Sequence, residues 1–185
     1  MKVVAFDGSK EPRGPVGVRM ARLVERLRLA DMDVELVRIE RVVSTGCTLC
    51  ERCGHRTDMR CSRPPEDGLR RCVRKIKAAD AVVIGTPVYG AHGSPTTQEL
   101  LIRLEHDRRE RGDTRLAGKP AVVVVGPPGS GAGAAAADVR RRLEAQGMRV
   151  SDAAAAAVAA SEREDAAAVE ALADAVLAAF APQPA

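Results

Sequence analysis

Aromatic residues are almost missing from this chain: among 185 residues there is no Trp, one Tyr and two Phe. Nucleic-acid surfaces stack bases on several exposed rings set in a basic face, so nucleic-acid binding is not expected. Long apolar runs are lacking too. The longest cover about five to eight residues, against the roughly 20 that a membrane-crossing helix needs, so no membrane partner is expected. Met1 runs directly into a strand-like pattern without a charged-then-apolar leader, and the expected location is cytoplasmic. Cysteines are few, five in all, and four of them fall between Cys47 and Cys61. A secreted disulfide framework would spread its cysteines to close long loops, whereas this crowding reads as metal ligation.

What is present is an ordinary globular composition, 45% hydrophobic and 29% charged, with a net charge of +4 carried mostly by arginine. The basic stretch 103–115 is interrupted by Glu105, Asp107, Glu110 and Asp113 and reads as a solvated helix face. The length suits one domain, 1–185, with the cysteine-bearing loop 41–68 inserted after the second strand. Strand patterns fall at 2–7, 34–39, 81–85, 120–126 and, less regularly, 148–157. Helical spacing falls at 16–30, 69–78, 95–109 and from about 133 to 146, with Gly147 as a C-cap. Ser161 with Glu164 forms a capping box for a last helix. Five strands alternate with helices, and the apolar runs are continuous, which marks strands buried on both faces of a parallel sheet. The expected fold is α/β: a three-layer, flavodoxin-like, doubly wound parallel five-stranded sheet of order 2-1-3-4-5. In such sheets ligands sit beyond the carboxyl ends of the strands, so the loops after Asp7, Gly85 and Gly126 should converge.

The cysteines read Cys47-x2-Cys50-x2-Cys53-x7-Cys61. Three thiolates at this interval wrap a curved backbone around one face of a cuboidal cluster, and the fourth returns to cap it, which points to [4Fe–4S]. Structural zinc also takes four cysteines, but usually from two separated C-x2-C knuckles. Redox-active thiols are a further alternative. Cys72 lies beside Val73 and Ile76 on a helix and reads as a buried structural thiol.

The first switch-point loop, 8–17, precedes a helix whose free N–H groups and dipole favour a phosphate. Ser9 can add a hydroxyl, and Lys10 or Arg13 a charge. An ordinary strand-to-helix turn with Pro15 at the first helical position accounts for the same residues. The second loop, Gly85-Thr-Pro-Val-Tyr-Gly90, carries the one tyrosine. Tyr89 and Pro87 can form a platform for a flat ring, with His92 and Ser94 in reach of its edge; the alternative is a core tyrosine. The third loop, 126–133, is glycine-rich but lacks the Lys of a phosphate-binding G-x-x-x-x-G-K-[ST] motif. Close backbone approach to a cofactor and plain turn flexibility both fit it.

Together these residues resemble the iron–sulfur flavoprotein family within the NADPH-dependent FMN reductases, over about residues 2–147. The likeness rests on Gly8-Ser9, on Cys47, Cys50, Cys53 and Cys61, and on Ala79-Asp80 leading to Gly85-Thr-Pro-Val-Tyr89. It implies FMN bound by the loops after the first and third strands, through Ser9, Arg13, Gly14, Val16 and Gly17 for the phosphate and Thr86, Pro87, Val88, Tyr89 and Gly90 for the ring. Gly126 and Gly129 would form the third wall, and the cluster would sit on the four cysteines. Pro15 and Val16 stand where the family usually has hydroxyl or amide side chains, so Ser9, Arg13 and backbone N–H groups must compensate. Arg103-Leu104 stands where the family tends to have Asp-Arg.

The expected activity is that of a flavin-dependent oxidoreductase relaying electrons from a reduced donor through cluster and flavin to an acceptor, with no acid–base catalytic residue. The donor would be ferredoxin-like or NAD(P)H, and the acceptor a small molecule or protein. The positive charge suits an acidic carrier. The resemblance implies a homodimer or homotetramer. Rival readings are an NAD(P)H-dependent FMN or quinone reductase with a zinc or vestigial cysteine site, a non-enzymatic redox sensor, and an empty scaffold.

Overall fold

The computed structural model describes residues 1–42, 68–111, 114–126, 129–151 and 162–181. In chain order the elements are β1 (Lys2–Asp7), α1 (Pro15–Leu29), β2 (Asp33–Arg38), a 3-10 turn (Ile39–Arg41), α2 (Gly68–Ala78), β3 (Ala81–Tyr89), β4 (His92–Gly93), α3 (Pro95–Arg111), β5 (Pro120–Gly126), α4 (Ala132–Glu144), β6 (Arg149–Ser151) and α5 (Glu162–Phe180).

The inner strands are rich in valine, whose branched side chains pack well on a pleated surface. Successive side chains alternate between two apolar layers, as a period of two requires. Val4, Phe6, Val82, Ile84, Ala121, Val123 and Val125 face α2, α3 and α4. Val3, Ala5, Ala81, Val83, Val122 and Val124 face α1 and α5. The result is helix, sheet and helix in three layers. Strand order is β2-β1-β3-β5-β6 with every one of these pairs parallel. Counting those five alone gives the expected 2-1-3-4-5.

Two features depart from the sequence reading. β3 does not stop at Gly85. It runs on to Tyr89, turns through Gly90 and Ala91, and pairs antiparallel with the two-residue β4. Gly and Pro at 85 and 87 read as punctuation, yet the β1 partner of β3 ends at Asp7↔Gly85. Beyond that point a proline interrupts less of the ladder. The second departure corrects the first part, 103–107, of the solvated face expected at 103–115. Arg103 is only 3% exposed, Asp107 pairs with Lys77 of α2, and Glu105 pairs with Arg142 of α4. Charges in this stretch tie α3 to both neighbouring helices.

Other expectations hold. Pro15 opens α1, and Gly147 follows α4 with φ +86°. Cys72 is buried in the α2 layer. The last strand is described only over Arg149–Ser151, and Ser161 of the expected capping box lies outside the described residues. Among the described residues no helix is long and apolar enough to cross a membrane.

Candidate functional site

The chain leaves β1 through Asp7, whose carboxylate is 1% exposed and accepts from the Ser9 backbone N–H at 2.9 Å and the Ser9 hydroxyl at 2.5 Å. This side-chain-to-backbone turn bends the first loop out of the sheet. It also commits the Ser9 hydroxyl hydrogen to Asp7. Gly14 then accepts the first helical bond from Val18, at 3.0 Å, and its own N–H donates to Glu11 O at 2.9 Å. No side chain caps α1, and its first turn holds no acidic residue. The positive end of the helix dipole is therefore left for an anion. Val16 is buried in the α1 layer, so it offers the site only its backbone. Gly17 is required by a close approach: a Cβ there would lie 2.5 Å from the Pro12 carbonyl oxygen and 2.9 Å from that of Glu11. Arg13 is exposed and lines a cavity of about 530 Å³ with Glu11, Pro12, Arg38 and Arg41.

The second loop is fastened to the first. Gly8 N–H donates to Gly85 O at 2.8 Å, and the Ser94 hydroxyl donates to Gly8 O at 2.7 Å. Ser94 N–H in turn donates to Thr86 Oγ1 at 2.8 Å. Thr86 and Ser94 are both buried, so they pin the two loops together rather than open onto solvent. Pro87 and Val88 are half-buried. Tyr89 is 51% exposed and is thus not a core tyrosine. The Gly90–Ala91 turn holds it at the rim of the sheet.

The third loop closes the other side. Gly126 ends β5 opposite Pro87. Gly129 is exposed, and residues 127–128 lie outside the described residues. Gly131, with φ +95°, presses on the Gly90 turn, where a Cβ would fall 2.0 Å from Gly90 O. Only glycine permits both this backbone and this contact. The sequence reading missed the group that braces this corner. Asp138 of α4 accepts from Gln98 Nε2 at 3.1 Å and from Arg141 at 2.8 Å, and meets His92 Nδ1 at 3.4 Å. Burial pushes its carboxyl up, but the Gln98 and His92 hydrogen bonds and the charges of Arg142 and His92 outweigh that, holding it below its ordinary 3.8. Arg141 is its neighbour on α4, but nothing local in the sequence marks Asp138 as a brace, because Gln98 and His92 come from α3 and β4.

The three loops thus meet at the point where β1 and β3 diverge in order, with an uncapped helix N-terminus on one side and an exposed tyrosine on the other. Cys47, Cys50, Cys53 and Cys61 lie outside the described residues. Among the described residues no cluster of metal-ligating side chains occurs.

Sheet order and loop geometry define a flavodoxin-like α/β protein with its crevice at the carboxyl ends of the strands. The sequence model of the NADPH-dependent FMN reductases matches residues 1–178, and the chain belongs to that family. It is 24% identical over 103 residues to an iron–sulfur flavoprotein of Methanocaldococcus jannaschii; the match covers 56% of this chain and 51% of that protein. The chain therefore spans about half the length of this curated relative. Among solved structures it resembles FerB, an NAD(P)H:(acceptor) oxidoreductase of Paracoccus denitrificans, with a TM-score of 0.67 at 19% identity, covering 97% of this chain and 94% of that one. It also resembles RosB, solved with bound 8-demethyl-8-formylriboflavin-5'-phosphate, with a TM-score of 0.70 at 18% identity over 96% and 76% of the two chains. At these identities the structural likenesses speak for the fold.

Proposed function

We propose that the chain is an NAD(P)H-dependent oxidoreductase that holds FMN across the three loops and a [4Fe–4S] cluster on Cys47, Cys50, Cys53 and Cys61. The observation that carries the FMN reading is the uncapped start of α1, kept open by Gly17, beside loops locked together by Gly8, Thr86, Ser94 and Gly131. These residues fit the group. Backbone N–H groups of Val16 and Gly17, with Gly14, Ser9 and Arg13 shaping the loop around them, would hold the phosphate, and the helix dipole favours its charge. Pro87, Val88, Tyr89 and Gly90 would form the platform for the ring, with buried Thr86 supporting it from beneath, and Gly126 and Gly129 the opposite wall. The cluster reading rests on the donor set, four thiolates in the spacing that iron–sulfur centres use.

When bound, the flavin accepts a hydride or single electrons and the cluster carries one electron at a time. The chain's own residues set the frame. Buried Thr86 and Ser94 fix the height of the Tyr89 turn, and the Asp138 carboxylate lies 3.4 Å from His92 Nδ1 and steadies the imidazole beside it. The electron donor is NAD(P)H or a ferredoxin-like carrier, the acceptor a small molecule or protein, and the assembly a homodimer or homotetramer.

Replacing Cys47, Cys50, Cys53 and Cys61 together by Ser tests the division of labour. Anaerobically prepared variant protein should lack iron yet keep its FMN, and NADPH should still bleach the bound flavin. Iron or zinc retained by the variant would contradict the cysteine assignment. Loss of FMN in folded variant protein would contradict the independence of the two sites.

A further inference from the structure

Among the described residues, α2 is the one helix that carries basic side chains and no acidic one: Arg70, Arg71, Arg74, Lys75 and Lys77. Lys77 turns inward to Asp107, and Lys75 reaches Glu35 of β2. Arg71 and Arg74 are exposed and have no ion pair with a described residue. Arg71 stands three residues from Arg74 and four from Lys75, so like charges face one another along one side of the helix. Such spacing destabilises a helix. The helix dipole does not account for it either, because Arg71 lies in the first turn, where a cation is disfavoured. Arg71, Arg74 and Lys75 line a cavity of about 330 Å³ together with Lys2 and Val4 of β1 and Glu35 of β2. It lies where α2, crossing from the edge strand β2 to β3, leaves β2 partly uncovered. Val4, 2% exposed, is its apolar floor.

The negative groups nearby are already engaged. Glu35 is the one carboxylate in the lining, and Lys75 holds it. Asp80 accepts from the Lys2 backbone N–H at 2.7 Å. Asp33 stands opposite Lys2 in the β1–β2 register but does not line the cavity. The carboxyl end of α2 would repel an anion, yet the Lys119 ammonium covers its carbonyls at Ile76, Lys77 and Ala79. Lys2, Arg71 and Arg74 are left to face the cavity without a counter-charge.

We propose that this cavity is an anion site, separate from the flavin crevice, that takes a small ligand bearing a diphosphate group. Two guanidinium groups one helical turn apart can each offer paired N–H donors to phosphate oxygens, and Lys2 adds charge from the facing wall. A volume of about 330 Å³ is at the lower end of small-molecule sites, which run from roughly 300 to 1,000 Å³, so it suits a diphosphate and not a dinucleotide. The crevice lies beyond Asp7, three residues past Val4 on β1 and about 10 Å along the strand. No residue of the cavity takes part in the FMN site. A bound diphosphate relieves the repulsion between Arg71 and Arg74 and ties α2 to the β2 edge, so it stabilises the fold. The proposal does not depend on the redox reading of the chain.

The test is calorimetric titration of the FMN-loaded protein with inorganic pyrophosphate and, separately, inorganic phosphate. Pyrophosphate should bind at least about tenfold more tightly than phosphate, without releasing FMN, and more weakly as salt rises. Arg71→Gln/Arg74→Gln protein should lose at least about tenfold in pyrophosphate affinity. Arg38→Gln/Arg41→Gln protein, altered at the separate cavity beside the first loop, should keep the parent affinity. Equal weakening in the two variants would reduce the effect to general attraction by a basic protein and overturn the proposal. Release of FMN by pyrophosphate would overturn it as well, by assigning the binding to the crevice. Urea unfolding gives a second reading that needs no variant. Pyrophosphate should raise the parent midpoint above that in sodium chloride of the same ionic strength, and an unchanged midpoint would contradict the site. In anion-free buffer Arg71→Gln/Arg74→Gln protein should unfold at urea no lower than the parent, because its like charges are gone. A lower midpoint would show that the two arginines serve the fold, and would overturn the proposal.

Discussion

At residue scale, Asp138 shows how an unmarked side chain comes to brace a functional corner. Its carboxyl, only 12% exposed, titrates below its ordinary value because Gln98, His92 and Arg142 favour the charged form by more than burial opposes it. A depressed folded-state value means that the stabilisation is fully present above the unfolded carboxyl range, about 3.9, and is lost as pH falls through the folded value. Asp138→Asn should therefore unfold at lower urea than the parent at pH 7, and the two midpoints should draw together below about pH 4. A gap that stays constant with pH would deny the carboxylate this role. Gly17 makes a second residue-scale case. Alanine would gain about 1 kcal/mol of helix propensity, yet its Cβ must push backbone atoms of Glu11 and Pro12 aside, at a cost of about 1–3 kcal/mol. Gly17→Ala should lower the urea midpoint and weaken FMN binding in a fluorescence-quenching titration. Tighter FMN binding by this variant would refute the open-cradle account.

At the scale of elements, the ends of strands and helices carry most of what the sequence did not make plain. Lys119 is an example. It sits just before β5, 9% exposed, and its ammonium donates to the carbonyls of Ile76 at 2.7 Å, Lys77 at 3.0 Å and Ala79 at 2.5 Å. These include carbonyls that the last turn of α2 cannot satisfy internally. Lys119→Met keeps most of the aliphatic stem but leaves them without this donor. The expected loss is about 2–4 kcal/mol of stability in urea denaturation; a change under about 0.5 kcal/mol would show that water replaces the ammonium. The β3–β4 hairpin was hidden for a related reason. Gly85, Pro87 and Gly90 are local stop signals, and only the pairing of Pro87 with Gly126 and of Tyr89 with His92 explains why the strand continues. Arg103 likewise looked like surface by composition, although it is almost fully buried.

At the scale of the whole molecule, the architecture was legible because its signals are periodic and redundant. Five apolar runs alternating with helical stripes admit few arrangements, and the parallel order follows from handedness and burial. The location of the crevice was legible for the same reason, since it is a property of strand order. Its interior was less so. Ser9 was expected to offer a hydroxyl hydrogen, but Asp7 two residues earlier engages it. Ser94 was expected to reach a ligand and instead joins the first two loops. Asp138 is brought to His92 only by the packing of α4 on β4 and α3. Long-range contacts of this kind leave no trace in spacing, whereas the reading of Cys47 to Cys61 rests on spacing alone and lies outside the described residues. The central claim, one chain holding both a flavin and a cluster, is tested most directly by counting cofactors in protein purified without oxygen. The account predicts one FMN with about four iron and four sulfide per chain. Protein that stays free of flavin and iron after reconstitution with both would contradict it.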